Sequence, residues 1–178
     1  DVYKRQKYAH EIGNIQKTVD SYAKKYDTKI PIAVAGGIDT PQKVKHVLNL
    51  GVQAVQVGTR FVTTEECDAD IRYKQAYIKA CKEDIVIVKS PVGMPGRAIK
   101  NTMLESVLRG ENIPPRKCYH CLAKCDPGKI PYCITKALIE AAKGNTEEGL
   151  LFCGANAYRA EKIETVKEVI ANLMQECV

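Results

Sequence analysis

The stretch IPIAVAGGIDTPQKVKHVLNLGVQAVQVGTRF, Ile30 to Phe61, decides the fold. It contains a continuous apolar run, IPIAV, which is typical of a strand buried on both faces of a parallel sheet. It also contains VQAVQV, a second predicted strand whose apolar positions are interrupted by Gln53 and Gln56. Between the two predicted strands, Thr40 is a suitable N-cap, Pro41 a suitable first helical residue and Gly51 a suitable end of the helix. Strand, helix and strand in this order predict a βαβ unit with a parallel sheet, so we expect an α/β fold.

Two turns of small residues follow the predicted strands, Gly36–Gly37 after the first and Gly58–Thr59 after the second. Glycine permits positive φ and lets a ligand approach the backbone closely. Backbone N–H groups at neighbouring turns, one of which leads into a helix N-terminus, suit a phosphate dianion. A (β/α)₈ barrel commonly places a phosphate site in the loops after its seventh and eighth strands. The spacing therefore predicts a phosphate site, although the glycines could also serve only to relieve steric crowding in tight turns.

The remaining pattern predicts further helices and one more short strand. A helix is expected over 8–26, with Ile12, Ile15, Val19 and Tyr22 on its inner face. Thr63 and Glu66 form a candidate capping box for a helix over 66–82, which would bury Cys81. The strand is IVIV, residues 85–88, and the Pro- and Gly-rich segment 90–98 cannot be helical. Three more helices are expected over 99–109, 134–143 and 161–176, the last with Ile163, Val166, Ile170 and Leu173 inward and Cys177 buried.

The composition is that of a globular protein with a scattered surface charge. The 27 basic and 21 acidic residues give a net charge of +6 without a block of like charges, so no nucleic-acid role is expected. No apolar run approaches the roughly 20 residues that span a bilayer, and no signal peptide is recognisable, so we expect a cytoplasmic protein. The oligomeric state is left open.

Three segments, AVAGGI, GVQAVQVGTRFVTTEE and SPVGMPGRAIKN, resemble the C-terminal part of the nitronate monooxygenase family, formerly called 2-nitropropane dioxygenases. Flavin-dependent enoyl-acyl-carrier-protein reductases are similar to it in fold and in these turns. The resemblance implies the C-terminal part of a (β/α)₈ TIM barrel that holds FMN, with additional C-terminal helices and with the N-terminal strands missing. Residues 7–98 would form the barrel units, and 99–178 a helical segment with a Cys-rich loop.

The resemblance also implies which residues touch the flavin and which reaction follows. Arg60 either screens the phosphate or lies at the surface. FMN would oxidise a nitronate to a carbonyl compound and nitrite; the alternative is reduction of an enoyl thioester with NAD(P)H. Either substrate is a small molecule. The implied cofactor-binding residues are Ala35, Gly36, Gly37, Gln56, Val57, Gly58 and Thr59.

The catalytic base that the family implies, a His after a Gly pair on an earlier strand, has no counterpart here. None of the three histidines, His10, His46 and His120, follows two glycines, so the catalytic residue is unknown and expected upstream. The first six residues, DVYKRQ, match the translation of a transposon end used in sequencing libraries. We therefore expect residues 1–6 to be an adapter-derived scar, with the N-terminal part of the protein lost before it.

Four of the eight cysteines lie in one segment, CYHCLAKCDPGKIPYC, at spacings x₂, x₃ and x₇. Four thiolates at such spacings could hold Zn²⁺ or an iron–sulfur cluster, with His120 able to replace one ligand. Free thiols or an occasional disulfide are the alternative. A metal-stabilised binding module is accordingly a second class of function for the chain. The candidate ligands are Cys118, Cys121, Cys125 and Cys133.

The segment GANAYRAEKI, residues 154–163, is similar to the family's C-terminal turn near the flavin. It is either a further contact of the cofactor site or a loop at the start of the last helix.

Overall fold

The computed structural model describes residues 8–115, 117–118, 120–123 and 125–177. The predicted scar, residues 1–6, lies outside this part of the chain. In chain order the regular elements are α1 (Tyr8–Tyr26), β1 (Ala33–Ala35), α2 (Pro41–Leu48), β2 (Ala54–Gln56), α3 (Ile71–Lys79), β3 (Ile85–Lys89), β4 (Pro95–Ile99), α4 (Thr102–Leu108), α5 (Ile134–Ala142) and α6 (Val166–Met174). Short 3₁₀ turns occupy Thr59–Phe61, Lys82–Asp84 and Ala157–Arg159.

The chain divides into two compact units, which are described separately. The described part of the first unit comprises residues 8–61 and 165–177, and the second unit lies within residues 62–164. The predicted division between residues 98 and 99 falls inside the second unit and stays a prediction. No helix among the described residues is long and apolar enough to cross a membrane.

Strands β1 and β2 form the parallel pair that the sequence predicts. Helix α2 connects them, and its start and end are those expected: Thr40 is the N-cap, Pro41 the first residue, and Gly51 follows the helix with φ 89°. The α/β fold is therefore confirmed. That these elements are the C-terminal part of a (β/α)₈ barrel stays a prediction.

The first unit has one apolar core, built from helices on a single face of this sheet. Val44 and Val47 of α2 are at most 2% exposed, and Val169 and Leu173 of α6 pack with them. Removing each such side chain from water contributes about 1.5–3 kcal/mol. The expectation that both faces of the strands are covered is wrong for the described residues. Only Val34 and Val55 pack against the core, and the residues facing the other way are exposed: Ala33, Ala35, Ala54 and Gln56.

Helix α1 occupies the predicted residues, but its predicted inner face is wrong. Ile12 is 3% exposed, whereas Ile15 and Tyr22 are 48% and 50% exposed. A polar contact also attaches the helix to the unit, because the Gln16 side-chain amide donates to the Leu50 carbonyl at 2.8 Å.

Helix α6 begins later than predicted. It starts at Val166 because Thr165 and Glu168 form a capping box, with the Glu168 N–H donating to the Thr165 hydroxyl at 3.2 Å. Leu173 is buried as predicted, but its buried neighbour on this face is Val169, and Ile170, which was predicted inward, is 49% exposed. Cys177 packs against the core of the first unit, as expected.

In the second unit, β3 and β4 form an antiparallel hairpin that the sequence did not indicate. The prediction that residues 90–98 are not helical is confirmed, since they supply the hairpin turn and most of β4. The turn closes with the Gly93 N–H donating to the Ser90 carbonyl at 3.0 Å. The following helix, α4, starts at Thr102 instead of residue 99, because the Asn101 side chain caps it by accepting from the Leu104 N–H at 2.9 Å.

The predicted capping box of Thr63 and Glu66 is wrong. Thr63 is buried, and its carbonyl accepts from the Glu164 N–H at 3.1 Å, so this segment bridges to another part of the same unit. Helix α3 starts at Ile71 instead, where the Asp70 carboxylate accepts from the Arg72 N–H at 2.9 Å.

The prediction of a buried Cys81 is also wrong. Helix α3 ends at Lys79, and Cys81 lies beyond it, exposed, with its thiol donating to the Asp84 carboxylate at 3.0 Å. Helix α3 nevertheless packs inward, because Tyr77 is fully buried beside Ala80 in the core of the second unit.

Candidate functional site

The two small-residue turns leave the parallel pair at the same edge. The register places Ala35, the last residue of β1, beside Gln56, the last residue of β2. Gly36 and Val57 therefore follow at neighbouring positions. Ligands of α/β proteins bind at this edge, outside the carboxyl ends of parallel strands.

The first turn requires glycine at two successive positions. Gly36 has φ 98° and Gly37 has φ 70°, both in the region where an L side chain is strained. Gly58 in the second turn differs, because its φ is not in that region. A Cβ built on Gly58 would meet no heavy atom within 4 Å, so the space over its backbone is open to a ligand.

Helix α2 points its N-terminus toward the first turn, and a lysine lies beside it. The Lys43 N–H donates to the Thr40 hydroxyl at 3.4 Å, which caps the helix. The Lys43 ammonium donates to the Gly37 carbonyl at 3.0 Å and to the Asp39 carboxylate. The Asp39 side chain is only 12% exposed, so this ion pair is partly shielded from water.

Sequence reasoning missed Lys43, although a signal was present. A cation in the first turn of a helix opposes the macrodipole, whose positive end lies there. Lys43 occupies that turn, and α2 has no acidic residue in it. A basic residue placed against the dipole next to a glycine turn is therefore a reason to look for an acidic or anionic partner. Asp39 is one such partner.

The second turn continues directly into a 3₁₀ turn, Thr59–Phe61, in which the Phe61 N–H donates to the Gly58 carbonyl at 2.9 Å. Phe61 packs against the core of the first unit and anchors the turn. The Val57 side chain also packs there, so Val57 can meet a ligand only through its backbone. Thr59 and Arg60 are partly buried.

The described residues contain no histidine with the surroundings of a catalytic base. The His10 side chain is 72% exposed on α1, where its ring contacts Glu11 and Asn14. His46 is exposed in the last turn of α2, away from the N-terminal end that meets the glycine turn. His120 is exposed in the Cys-rich segment.

The four candidate metal ligands line one cavity of about 560 Å³ in the second unit. Burial raises the pKa of the Cys125 thiol, and the neighbouring sulfurs of Cys118, Cys121 and Cys133 raise that pKa further. The four thiols thus lie near enough to interact electrostatically. Among residues 8–115, 117–118, 120–123 and 125–177, however, no three His, Cys, Asp or Glu side chains converge closely enough to hold an ion.

The segment 154–163 contains a 3₁₀ turn at Ala157–Arg159, and Ala157 belongs to a core cluster of the second unit. Burial raises the pKa of the nearby Cys153 thiol to about 12, although Arg97 lowers it in part. Burial also raises the pKa of the Tyr77 hydroxyl, which donates to the Phe152 carbonyl at 2.6 Å. Both groups are therefore neutral at neutral pH, and Tyr77 has a packing role. No observation on these residues tests the predicted flavin contact.

Comparisons with known proteins agree with the resemblance seen in the sequence. A family described as nitronate monooxygenase matches residues 6–176. The chain is 37% identical over 87 residues to a probable nitronate monooxygenase of Staphylococcus haemolyticus, an overlap of 48% of this chain and 24% of that protein. It is 28% identical over 151 residues to nitronate monooxygenase of Pseudomonas aeruginosa, which is 83% of this chain and 39% of that protein.

Among solved structures, FabK from Thermotoga maritima matches with a TM-score of 0.65 and 26% identity, over 84% of this chain and 44% of that one. The chain shares a mixed α/β fold with this relative. The chain belongs to the nitronate monooxygenase family. It spans less than half of the length of each of these three relatives.

Proposed function

We propose that the first unit holds the phosphate of FMN in a flavin-dependent enzyme that oxidises nitronates to a carbonyl compound and nitrite. The observation that carries the proposal is the parallel register, Ala35 beside Gln56, which brings two small-residue turns to one edge. Membership of the family supports the reaction. Its relatives named as nitronate monooxygenases support the class of substrate.

The geometry of the two turns fits a phosphate group. A left-handed pair at Gly36 and Gly37 followed by a helix N-terminus is a backbone arrangement that favours an anion. Gly58 leaves open space above its backbone, where a phosphate oxygen can approach. In the proposed complex, the backbone N–H groups of both turns and the Thr59 hydroxyl donate to the phosphate. Ala35, Gln56 and Val57 line the rim.

Lys43 balances charge at the first turn. The Asp39 carboxylate by itself would repel a phosphate. Because the Lys43 ammonium is paired with it, the net charge of the pair is close to zero. The N–H groups at the start of α2 then add the favourable end of the helix dipole. The Lys43 contact to the Gly37 carbonyl also keeps that oxygen engaged, which orients the turn.

When bound, FMN supplies the redox chemistry, and the protein supplies binding and orientation. The residues of this chain would hold the phosphate end of the bound cofactor. No residue of the chain matches the base that the family implies. We therefore expect no nitronate turnover by the 178-residue chain alone and only weak FMN binding. Tight binding with nitronate oxidation by this chain would contradict that expectation.

A titration of the chain with FMN and with riboflavin tests the phosphate site. Riboflavin lacks the phosphate, so we expect FMN to bind at least about tenfold more tightly, as one or two charge-assisted hydrogen bonds would give. Thr59→Val should weaken FMN binding and leave riboflavin binding unchanged. Thr18→Val, on exposed α1, is the matched control and should change neither. Equal affinities for FMN and riboflavin would contradict the site.

A second candidate is a flavin-dependent enoyl-acyl-carrier-protein reductase that uses NAD(P)H. The likeness to FabK from Thermotoga maritima is the observation that favours it. A full-length relative that carries these turns would distinguish the two reactions. Oxygen-dependent release of nitrite from a nitronate supports the monooxygenase, and NAD(P)H consumption driven by an enoyl thioester supports the reductase.

A further inference from the structure

We propose that Cys118, Cys121, Cys125 and Cys133 bind one Zn²⁺ through four thiolates, and that the ion closes the loop that carries them. All four line one cavity of about 560 Å³, and all eight cysteines of the chain are free thiols. The site is independent of the proposed FMN function, because its residues lie in the second unit.

The loop needs a cross-link that its backbone does not provide. The Ile113 N–H donates to the Pro131 carbonyl at 2.7 Å, and this bond closes the base of the loop. Between these residues, the described backbone bonds are local turns, such as Cys125 N–H to the Leu122 carbonyl at 3.2 Å. Loops of more than about 12–15 residues without regular structure are uncommon in compact domains and are usually functional. A metal ion is an efficient closure for such a loop.

The first pair of cysteines has the local geometry of a metal-binding turn. His120, between Cys118 and Cys121, is in the left-handed region with φ 51°. This conformation directs its backbone N–H to the Cys118 sulfur at 3.4 Å. A backbone donor on sulfur stabilises a thiolate ligand. The hydroxyl of Thr135 lies 3.2 Å from the Cys121 sulfur and can support a second ligand in the same way.

The charge around the cavity suits a thiolate centre. Zn²⁺ with four thiolates carries a net charge of about −2. Among the described residues that line the cavity, one is a glutamate, Glu140, and three are lysines: Lys117, Lys136 and Lys143. Asp126 adds a second carboxylate next to Cys125. A net positive lining compensates the negative centre. Free thiols would gain nothing from it.

The spacing favours zinc over an iron–sulfur cluster. The gaps x₂ and x₃ fall in the range of two to four residues that structural zinc sites use between paired ligands. The set x₂, x₃, x₇ matches neither the bacterial nor the plant ferredoxin spacing.

Binding requires the loop to tighten, since no three ligands converge in the described residues. Each of the four S–H bonds breaks as a Zn–S bond forms, and the four protons pass to solvent. No atom changes its oxidation state. The free energy of binding then appears as added stability of the loop.

Thiol alkylation mapped by mass spectrometry tests the proposal with an internal control. Cys121 and Cys81 are both exposed, so without a metal both should react. Because the Cys81 thiol donates to the Asp84 carboxylate, each rate is compared with that of the same residue in metal-free protein. In protein purified under reducing conditions and loaded with Zn²⁺, we expect Cys81 to react and Cys121 to be protected by tenfold or more. Removal of the zinc by a chelator should raise the alkylation rates of all four candidate ligands together: Cys118, Cys121, Cys125 and Cys133. Reaction of Cys121 in the presence of Zn²⁺ at the rate it has in metal-free protein would overturn the proposal.

Metal content provides the second arm. We expect about one Zn²⁺ per chain in the wild type and in Cys81→Ser, and a large loss in Cys121→Ser and Cys125→Ser. A cysteine variant could lose zinc because it misfolds. The alkylation experiment uses wild-type protein and does not depend on these variants. Iron with acid-labile sulfide and no zinc would overturn the zinc assignment, as would a disulfide among the four cysteines in reduced, zinc-loaded protein.

Discussion

Gly37→Ala tests whether the first turn depends on a left-handed backbone. Gly37 has φ 70°, where an L residue costs about 1–2 kcal/mol. Alanine also restricts the unfolded chain and thereby returns about 0.4–1 kcal/mol. We therefore expect the free energy of unfolding to fall by about 1 kcal/mol. The Lys43 ammonium contacts residue 37 only through its backbone carbonyl oxygen, so the substitution leaves this hydrogen bond in place.

The matched control is Gly13→Ala in helix α1. A Cβ on Gly13 meets no heavy atom within 4 Å, and alanine is favoured over glycine inside a helix by about 1 kcal/mol. The same substitution should therefore stabilise the protein at Gly13 and destabilise it at Gly37. Urea unfolding followed by circular dichroism measures both. A Gly37→Ala protein as stable as the wild type would refute the assignment of strain to this turn.

Three further variants test other contacts. Tyr77→Phe removes the hydroxyl that donates to the Phe152 carbonyl inside the second unit, and should cost about 1–3 kcal/mol in chemical unfolding. Thr165→Ala removes an N-cap and should cost about 1 kcal/mol, whereas Thr165→Ser should be close to neutral. The Arg72 guanidinium lowers the pKa of Asp70 from its usual 3.8 to about 2. A lowered folded-state pKa stabilises the protein above pH 3.8, and that contribution is lost as the pH falls toward 2. Asp70→Asn should therefore make the melting temperature depend less on pH between pH 3.8 and pH 2. A melting temperature that falls as steeply in this range as that of the wild type would contradict the pairing.

The sequence predicted helix α2 well because its signals are local. A cap at Thr40, a proline at the first helical position and a left-handed Gly51 act within a few residues of the helix ends. The glycine turns were predicted for the same reason. Their alignment at one edge followed from the parallel pairing, which the register confirms.

The errors concern contacts that a segment makes with residues outside itself. Strand β4 exists because residues 95–99 pair with β3, and nothing within that short segment indicates a partner. The capping box at Thr63 failed because that segment bonds to Glu164 instead. Lys43 was missed because its role depends on where its ammonium reaches, which is set by the turn in front of the helix.

The most direct test of the phosphate site is a comparison of backbone amide shifts in ¹⁵N-labelled protein on addition of FMN and of riboflavin. The account predicts that the largest shifts with FMN fall on Gly36, Gly37, Gly58 and Thr59, and that riboflavin does not produce them. Shifts of these four amides that are equally small with both flavins, or FMN shifts concentrated on residues of the second unit, would contradict it.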